Sequence, residues 1–386
     1  MTNFSLRAGL IGSGFIGPVH LEALRRLGIT VTTLCDLPDR AAAAAARLGI
    51  PRAVSDYRVL VRSPEVEVVH ITSPNRFHRP MALAALRAGK HVVCEKPLAL
   101  NSRETSEIVA AAHRAQTVFA VNYNVRFYPA VLAMRDLVHS GQLGDIIHVN
   151  GSYFQDWLFK DTDYNWRLLP REGGPLRAVA DIGTHWMDTV SFVLGSRIAA
   201  VFAQLGTHHR TRQRPVGEVE TFSRGTRSGK TVTYRVRNED FASVLLRFQN
   251  QAHGNLAVSQ VAAGRKNSLR FELYGSRQSA AWDSEKPETL WLGRRDEANQ
   301  VVVRNSPAFG DGARGFTDYP AGHVEGFPDT FKMLFRAVYA RAMAPQSKEP
   351  VLHATPEDGH HEVAVCEAIL RSHRARAWAT VRAPTG

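Results

Sequence analysis

Apolar and polar positions along the first third of the chain follow two alternating periods. Short apolar runs, typical of buried strands in a parallel sheet, occupy Leu6–Ile11, Val31–Cys35, Val66–Ile71, His91–Cys94 and Thr117–Val121. Between these runs, helical spacing or helix-forming residues predict helices over Ile16–Leu27, Asp39–Leu48, Pro80–Ala88 and Asn101–Ala115. This alternation is typical of a doubly wound parallel sheet, which we predict for a first, α/β domain of residues 1–124.

The pattern changes after about residue 125. Helical spacing is found over Pro129–Ser140, Asp181–Leu194, Phe327–Met343 and Pro356–Arg374. Extended stretches with strand character are Asp145–Gln155, Ile198–Gln204, Phe241–Phe248, His253–Val261, Leu269–Tyr274, Ser279–Asp283 and Trp378–Val381. They predict a second, α+β domain of residues 125–386, built on a large, mostly antiparallel open sheet.

Two segments, residues 206–239 and 296–326, show neither period. The first of them is rich in Arg, Thr and Gly. Loops of that length are uncommon in compact domains and are usually functional or mobile. We expect both segments to be solvated excursions of the second domain, and the role of residues 206–239 at the mouth of a site stays open.

Composition excludes several classes of protein. The 386 residues, 44% of them hydrophobic and 22% charged, fit a globular chain of two domains and exclude wholesale disorder. The net charge of +12 comes mostly from scattered arginines rather than a long basic block, so we expect no nucleic-acid partner. No apolar stretch approaches the ~20 residues that span a bilayer, so we expect no membrane partner.

Cysteine and histidine positions bear on metal and redox chemistry. Cys35, Cys94 and Cys366 are far apart in sequence and form no CxxC pair, which excludes a disulfide framework or a zinc knuckle and favours a cytoplasmic protein. The adjacent histidines at 208–209 and 360–361 would point to different sides of a helix. We therefore predict no metal site.

A glycine pattern follows the first predicted strand. Gly12, Gly14 and Gly17 form G-x-G-x-x-G, in which the first glycine permits a tight turn, the second admits a pyrophosphate and the third allows close helix–strand packing. The helix that begins around Phe15 and Ile16 offers free N–H groups and the positive end of its dipole. These residues predict a dinucleotide-binding corner.

The residue that ends the second predicted strand bears on the choice of dinucleotide. Asp36 follows Gly17 by about twenty residues, where an acidic side chain accepts hydrogen bonds from the adenosine ribose. Its carboxylate would repel the 2′-phosphate of NADP, whereas Arg40 could in principle pair with that phosphate. We predict NAD as the cofactor, with NADP as the less favoured alternative.

Polar residues also follow later strands of the predicted parallel sheet. Asn75 and His78 come after Val66–Ile71, and Lys96 comes directly after His91–Cys94. Because ligands bind beyond the carboxyl ends of such strands, we expect Asn75 and His78 to contact the cofactor and Lys96 to place a cation in the cleft. A lone lysine is also commonly solvated, and that interpretation stays open here.

Asp181 and His185 lie four residues apart on a predicted helix and therefore share one side of it. A carboxylate beside an imidazole orients the ring, and oxidation of an alcohol needs a base near neutral pH to remove the hydroxyl proton. A nearby ammonium such as that of Lys96 would stabilise the developing alkoxide. Asp181 is equally suited to cap the helix or to form a surface ion pair.

Together, these motifs resemble the Gfo/Idh/MocA family of NAD(P)-dependent sugar and polyol oxidoreductases. The resemblance rests on the glycine pattern, Asp36, Glu95-Lys96-Pro97 and the segments 124–129 and 181–188, in this order and spacing. It implies an N-terminal Rossmann domain, a C-terminal domain whose open sheet lines the substrate site, and a catalytic set of Lys96, Asp181 and His185, with His185 as acid/base. The cofactor contacts it implies beyond the glycine pattern are Asp36, Arg40, Ser73, Pro74, Asn75, His78, Glu95, Lys96, Asn124 and Arg126.

Further segments are similar to family members that act on pyranosides at a ring hydroxyl, the 3-position among them. These segments are residues 153–157, 165–167 and 264–267. Aromatic faces pack against the C–H face of a pyranose, and amide or guanidinium groups bond its hydroxyls. The substrate contacts expected besides Lys96, Asp181 and His185 are Gln155, Trp157, Trp166, Arg167, Arg265 and His323.

The expected activity is reversible hydride transfer between NAD and a secondary ring hydroxyl of a sugar, glycoside or cyclitol. Two alternatives stay open: the same fold acting on a dihydrodiol or a tetrapyrrole, and a dinucleotide-binding regulator without catalysis. The broad sheet of the second domain has too few predicted helices to cover both of its faces. An exposed apolar sheet face usually marks an interface, so we expect a homodimer or homotetramer.

Overall fold

The computed structural model describes residues 4–216, 230–304, 306–307 and 309–382. Its N-terminal part alternates strands and helices as the sequence predicts. The elements are β1 (Ala8–Ile11), α1 (Ile16–Arg26), β2 (Val31–Cys35), α2 (Ala41–Leu48), β3 (Arg52–Val54), α3 (Tyr57–Arg62), β4 (Val68–Ile71), α4 (His78–Arg87), β5 (His91–Cys94), α5 (Ser102–Ala115) and β6 (Phe119–Val121).

The six strands form one parallel sheet in the order β3-β2-β1-β4-β5-β6. The order reverses between β1 and β4, and ligands of doubly wound sheets bind at such a switch point, beyond the carboxyl ends of the strands. The loops after β1, β4 and β5 therefore converge on one crevice. The predicted Rossmann fold is confirmed.

Two short elements of this domain are absent from the sequence prediction. Strand β3 lies at the edge of the sheet, and two of its three residues are exposed. Helix α3 has only six residues, and the Asp56 side chain caps its first turn by accepting from the Arg58 amide. Neither element contains an apolar run long enough to register as a period.

The C-terminal part is built on a nine-stranded sheet. Its elements are α6 (Pro129–His139), β7 (Ile146–Phe154), α7 (Pro170–Gly173), α8 (Thr184–Leu194), β8 (Ile198–Gly206), β9 (Thr211–Pro215), β10 (Thr231–Arg235), β11 (Phe241–Phe248), β12 (His253–Ser259), β13 (Ser268–Gly275), β14 (Ser279–Asp283), β15 (Thr289–Gly293), β16 (Gln300–Val303), α9 (Asp311–Arg314), α10 (Phe327–Met343), α11 (Pro356–Ala375) and β17 (Ala379–Thr380).

The large sheet has the order β16-β15-β14-β13-β7-β12-β11-β8-β17. Only the β7–β12 pair within it is parallel, so the predicted mostly antiparallel sheet is confirmed. Helices α6, α8 and α11 pack on one face, and residues of β11 alternate strictly between buried and exposed. The opposite face of β11 presents Phe241 and Leu245, which are 42% and 49% exposed.

One helix of the second half packs on the first sheet. Phe331, Leu334, Phe335 and Val338 of α10 belong to the same buried cluster as Leu10 of β1. The apolar side of α10 thus covers a face of the Rossmann sheet, although it lies some 200 residues beyond it in sequence. The boundary between residues 124 and 125 stays a prediction.

The segments expected to be solvated excursions contain more structure than predicted. Strands β9 and β10 form an antiparallel pair within residues 206–239, and β16 and α9 lie within residues 296–326. The expectation failed because β9 and β10 consist largely of polar residues, which give no apolar period, and because the isolated Phe309 is buried in the core. Part of each segment lies outside the described residues.

Across the described part of the chain, no helix combines the length and the apolar character that crossing a membrane requires. The same residues contain no group of three or more His, Cys, Asp or Glu side chains arranged to hold a metal ion. Cys35, Cys94 and Cys366 are free and buried.

Candidate active site

The glycine corner after β1 has the geometry of a dinucleotide site. Gly12 has a φ of 103°, and a Cβ added to Gly17 would lie 2.3 Å from the Gly12 carbonyl oxygen, so both positions require glycine. A Cβ on Gly14 would meet no atom within 4 Å, so this backbone faces open space. The corner thus leaves room for a pyrophosphate at the start of α1, and the residues present fit the cofactor.

Asp36 turns back toward this corner from the end of β2. Its Oδ2 accepts from the Ser13 amide at 2.8 Å and from the Ser13 hydroxyl, and its Oδ1 accepts from the Leu37 amide at 2.7 Å. The carboxylate is thereby fixed at the rim of the glycine corner while it remains partly solvent-accessible. This is the position in which it can accept from ribose hydroxyls.

The loop after β4 is fastened to the glycine corner. The Thr72 hydroxyl lies 2.9 and 2.8 Å from the carbonyls of Ile11 and Gly12. Ser73 and Pro74 follow, and Asn75 begins a short 3₁₀ turn, where its amide lies 3.4 Å from the Gly173 carbonyl. Residues 73–75 therefore lie at the switch point of the sheet, as predicted for cofactor contacts.

Glu95 and Lys96 leave β5 at the same edge. Glu95 accepts from its neighbour's amide at 3.1 Å, faces His20 Nε2 at 3.1 Å and accepts from the Asn122 amide. Burial by itself would raise the pKa of Glu95, but these partners and the Lys96 ammonium lower it to about 2. Glu95 is therefore an ionised carboxylate buried beneath the site.

Lys96 is held by Asp181. Its Nζ donates to the Asp181 carbonyl at 2.7 Å and to Asp181 Oδ1 at 3.0 Å, and Lys96 is only 9% exposed. An ammonium has three hydrogens, so one remains free for a third acceptor. The solvated-lysine interpretation is therefore wrong for Lys96.

Three side chains contact the Asp181 carboxylate. Besides Lys96, Arg167 Nε lies 3.0 Å from its Oδ1, and Gln260 donates to its Oδ2 at 2.9 Å. Burial opposes the charge, but the guanidinium of Arg167 and the ammonium of Lys96 outweigh it and hold the pKa of Asp181 well below its usual range. Asp181 is neither a helix cap nor a surface ion pair.

The start of the predicted helix differs from a regular α-helix. Residues Val179–Gly183 form a π-helical turn that leads into α8, and Asp181 lies inside this turn. Such turns are uncommon and frequent at functional sites. The wider turn presents both the carbonyl and the carboxylate of Asp181 to Lys96.

His185 lies one turn further along α8 and is partly buried. The ring edges of Tyr123 and Tyr153 surround it, at centroid distances of 5.8 and 6.3 Å. Burial and the Lys96 ammonium lower the pKa of His185 to about 3. The ring is therefore a neutral imidazole at pH 7, and its Nδ1 is buried with no hydrogen-bond partner among the described residues.

A small open cleft adjoins His185. Its walls combine aromatic rings with amide and hydroxyl groups. The lining residues are Asn124, Val125, Tyr128, Tyr153, His185, Asn267, Leu269, Trp282, Ser284 and Phe327. Among predicted residues, Asn124 reaches this wall and donates to Thr330 on α10 at 2.7 Å.

Four predicted contact residues lie away from the cleft or face other partners. His78 is fully buried, with its ring nitrogens 2.8 and 2.9 Å from the carbonyls of Pro97 and Ser73, so it fastens two loops together instead of facing the cofactor. Arg126 is buried with Asp188 and Asp358, because the interior carboxylates attract it.

Arg265 and His323 are exposed residues of surface loops. Arg265 pairs with Glu285 at 3.0 Å, and His323 Nδ1 lies 3.3 Å from the Pro320 carbonyl. Neither residue contacts the cluster around Asp181 in the structure. The expectation of substrate contact overlooked that both loops are fastened outward by local partners.

The remaining predicted substrate residues lie on the loop after β7. Gln155 is buried, its Nε2 donates to Asn267 at 2.7 Å, and its Oε1 has no partner among the described residues. Trp157 and Trp166 are partly exposed, and the Arg167 guanidinium lies 4.3 Å above the Trp166 ring. Arg40, expected near the ribose, is exposed on the turn before α2.

Sequence reasoning assigned no role to Gln260 or Asn122, and it included Asn267 only as part of the segment 264–267. Gln260 and Asn122 each follow directly on a predicted or observed strand end, and Asn267 begins the turn into β13. A polar residue at a strand end was the available signal, but it is common in loops and does not identify a partner.

The polar pair β9–β10 supports the loop that holds Arg167. Arg212 of β9 is 1% exposed and donates to the carbonyls of Leu158 and Lys160, both at 2.8 Å, and pairs with Asp240 at 2.9 Å. Asn238 donates to the Arg167 carbonyl at 3.1 Å. The described part of residues 206–239 thus supports the loop on which Arg167 lies.

Family models match most of the described chain. The NAD-binding Rossmann fold of the oxidoreductase family GFO_IDH_MocA matches residues 6–123, and the GFO/IDH/MocA C-terminal domain matches residues 131–281. A levoglucosan dehydrogenase of Pseudarthrobacter phenanthrenivorans is 30% identical over 98% of each chain. An inositol 2-dehydrogenase of Salmonella paratyphi B is 30% identical over 49% of this chain and 55% of its own length.

Solved structures agree with the sequence relatives. A levoglucosan dehydrogenase in complex with NADH and L-sorbose superposes with a TM-score of 0.87 at 28% identity, over 99% of this chain and 100% of that one. An inositol dehydrogenase homologue from Azotobacter vinelandii with NAD⁺ gives a TM-score of 0.86 at 25% identity, over 98% of each. The chain belongs to the Gfo/Idh/MocA family of oxidoreductases, with an NAD-binding Rossmann domain followed by the C-terminal domain of that family.

Proposed function

We propose that this protein is an NAD-dependent dehydrogenase that oxidises or reduces a secondary ring hydroxyl of a sugar, glycoside or cyclitol. The observation that supports it most directly is the Lys96 ammonium, fixed by the carbonyl and carboxylate of Asp181 beside a neutral His185. An alcohol that loses a hydride needs both a proton acceptor and a positive group near its oxygen.

In this proposal His185 is the acid/base. An imidazole with its pKa lowered to about 3 is uncharged at neutral pH, and its unprotonated ring nitrogen can accept the hydroxyl proton. The third hydrogen of Lys96 Nζ donates to the same oxygen and stabilises its developing negative charge. Arg167 and Gln260 keep Asp181, and hence Lys96, in place.

The cofactor would lie across the switch point of the parallel sheet. Bound NAD accepts or returns the hydride. The glycine corner and the start of α1 would hold its pyrophosphate, Asp36 its adenosine ribose, and residues 73–75 its nicotinamide half. The Asp36 carboxylate supports NAD over NADP, because a 2′-phosphate beside it would place like charges together.

The substrate class is supported by the walls of the site and by the relatives. Tyr153 and Trp282 offer aromatic surface in the cleft beside His185, and Asn267 offers an amide there. Trp157 and Trp166 are partly exposed on the loop after β7. Such a combination suits a polyhydroxylated ring with one apolar face. The levoglucosan and inositol dehydrogenases among the relatives are named for substrates of this kind.

The test is reduced-nicotinamide absorbance with NAD and NADP in parallel. The panel contains inositols, free hexoses, anhydrosugars, aryl glycosides and a trans-dihydrodiol. Reduction of NAD with one ring-polyol class is the expected result. Turnover of the dihydrodiol alone would overturn the sugar assignment. Binding of NAD by calorimetry without turnover of any compound would favour the regulator.

A second copy of this chain is the proposed partner. The face of the large sheet that no described helix covers presents Phe241 and Leu245, and apolar patches of this kind usually mark interfaces. We expect a homodimer or homotetramer by light scattering after size exclusion, and dissociation in Leu245→Lys. A monomer at micromolar concentration would contradict this.

A further inference from the structure

A chain of polar side chains runs through the interior from the site into α10. His20 Nε2 lies 3.1 Å from Glu95 Oε1, His20 Nδ1 lies 3.0 Å from His70 Nδ1, and His70 Nε2 lies 3.1 Å from the Tyr339 hydroxyl. His20, His70 and Tyr339 are each 0% exposed. Burying four polar side chains that are linked one to the next destabilises the fold unless every hydrogen bond between them is made.

The donors in this chain can be assigned. Glu95 is ionised and only accepts, so His20 Nε2 has a hydrogen. The two facing Nδ1 atoms share a single hydrogen. If it were on His20, that ring would be a buried cation and His70 Nε2 would donate to Tyr339. The Tyr339 hydroxyl hydrogen would then have no acceptor among the described residues.

The other arrangement gives each of the four side chains, Tyr339, His70, His20 and Glu95, a hydrogen-bond partner. Tyr339 donates to His70 Nε2, His70 Nδ1 donates to His20 Nδ1, and His20 Nε2 donates to Glu95. Burial raises the pKa of the Tyr339 hydroxyl well above its usual value and lowers the pKa of His70 well below its usual value, so both are neutral. The hydrogen bonds therefore all point toward Glu95.

The carboxylate that these hydrogen bonds orient also contacts the backbone of Lys96. Its second oxygen, Oε2, accepts from the Lys96 amide at 3.1 Å, while Oε1 faces His20 and Asn122. His20 lies on α1, whose first turn forms the glycine corner, and Tyr339 lies on α10. The chain thus joins the helix at the nucleotide corner, the loop of the catalytic lysine and a helix from the other half of the molecule.

We propose that Tyr339, His70 and His20 are positioning residues that orient Glu95, and through it Lys96, relative to the nucleotide corner. The role rests on the proposed function, because it acts on the lysine assigned there. The arrangement of hydrogens is a property of the free protein. It can therefore be tested whether or not a substrate has been found.

The first experiment observes the ring nitrogens. Protein labelled with ring-¹⁵N histidine is studied by long-range ¹⁵N–¹H correlation at pH 7, and because the chain has 16 histidines, His20→Gln and His70→Asn spectra assign the signals by difference. We expect hydrogen on Nε2 of His20 and on Nδ1 of His70. A cationic His20, or hydrogen on Nε2 of His70, would overturn the proposal.

The second experiment uses kinetics with a substrate found by the panel, with rates expressed per NADH-binding site. Leucine at position 70 removes the donor to His20, whereas asparagine keeps an N–H close to the place of Nδ1. We expect kcat to fall roughly 10- to 100-fold in His70→Leu, the effect of a small misplacement of a catalytic group, and to recover in His70→Asn. KM for NAD should stay unchanged in both.

Phe335→Leu is the matched control. The Phe335 ring packs 4.8 Å from both His20 and His70 but makes no hydrogen bond, so its loss weakens the same region without breaking the chain. It should lower thermal stability and leave kcat per site unchanged. If His70→Leu does not fold, Tyr339→Phe, which deletes one hydroxyl, takes its place. A normal kcat in folded His70→Leu or Tyr339→Phe would contradict the positioning role. An equal loss of kcat in that variant and in Phe335→Leu would contradict it as well.

The pH profile gives an independent readout. The groups that face Glu95 are His20 from α1, Asn122 after β6, its neighbour Lys96, and the rings of His78 and His185. Without the hydrogen bond from His20, burial raises the pKa of Glu95. The acid limb of kcat should therefore move to higher pH in His20→Leu and stay in place in His20→Gln. If the acid limbs of kcat lie at the same pH in His20→Leu and His20→Gln, the proposal is contradicted.

Discussion

Two clusters of charge lie along the same helix and differ in what they can do. The cleft cluster is Asp181 with Lys96 and Arg167, beside His185 at the start of α8. The interior cluster lies around Asp188, two turns later, and consists of Arg126, Asp188, Asp358 and Glu362. Both contain residues that the sequence presents as functional candidates.

The cleft cluster and the interior cluster differ in their ratio of cations to carboxylates. In the cleft cluster two cations share one carboxylate, which stays ionised and leaves a hydrogen of Lys96 free. In the interior, burial and neighbouring carboxylates raise the pKa of Asp188 to about 6 and that of Glu362 well above its usual value. A surplus of cation suits catalysis, and a surplus of buried carboxylate makes stability depend on pH.

Replacement of Lys96 should produce the largest effect. Lys96→Met removes the positive charge beside the reacting oxygen, so we expect kcat to fall roughly 1,000-fold, within the usual range for a positioned acid–base or electrostatic group. The melting temperature should fall only moderately, because Arg167 and Gln260 still pair with the buried Asp181 carboxylate. The control is Lys266→Met, an exposed lysine paired with Asp156, which should keep normal turnover. A loss under roughly tenfold would exclude Lys96 from the chemistry.

The opposite pattern is expected for Arg126. Arg126→Met leaves several buried carboxylates without their cation and should lower the free energy of unfolding by about 3–5 kcal/mol. Denaturant unfolding at pH 7 and pH 5 measures this, and the loss should be smaller at pH 5, where the carboxyls protonate. Arg197→Met is the control, since Arg197 is 43% exposed and its pair is worth about 0–1 kcal/mol. Equal losses in both variants would refute the distinction.

Glu362→Gln should stabilise the protein. Because the pKa of Glu362 is raised in the folded state, its contribution is fully present below the unfolded pKa of about 4.3 and is lost as pH rises toward the folded pKa. Glutamine has no proton to lose, so the variant should gain about 1 kcal/mol at pH 7 and nothing at pH 4. A loss of stability at pH 7 would contradict the raised pKa.

The smallest expected effect is the pH dependence of His185. Its pKa is lowered to about 3, so the base form persists above pH 5 and is lost only in stronger acid. The plot of kcat/KM should therefore lack an inflection near the ordinary value of about 6.5. An acid limb at that value that disappears in His185→Gln would show that the site is more hydrated during turnover than the free structure implies.

The sequence predicted the helices and strands better than it predicted which side chains contact one another. Bounds of Val31–Cys35, His91–Cys94 and Phe327–Met343 coincide with the structure, because each has a clear period. The predicted helix that begins at Asn101 is also found, and the Asn101 side chain caps it by accepting from the Glu104 amide at 3.0 Å. The polar pair β9–β10 was missed, since its stability comes from Arg212 and Asp240, whose contact no local pattern reveals.

The same limit applies within the site. His78 and Arg126 have the residue types and the strand-end positions of cofactor ligands, yet both are buried with other partners. Conversely, Gln260 donates to the Asp181 carboxylate although the sequence marks it only as the end of a predicted strand. Polar side chains at a strand end point where the nearest charge or carbonyl attracts them, and that neighbour is distant in sequence.

The sequence by itself determined the glycine corner, the doubly wound class of the parallel sheet and the identity of Lys96, Asp181 and His185 as candidates. These follow from local spacing, which is read along one strand–turn–helix at a time. Only the tertiary structure decided that Asp181 receives two cations, that Arg126 belongs to the interior and that His20, His70 and Tyr339 form one chain behind Glu95. Charge and hydrogen bonding depend on distances of about 3 Å, and folding sets such distances between residues as distant in sequence as His70 and Tyr339, which are 269 positions apart.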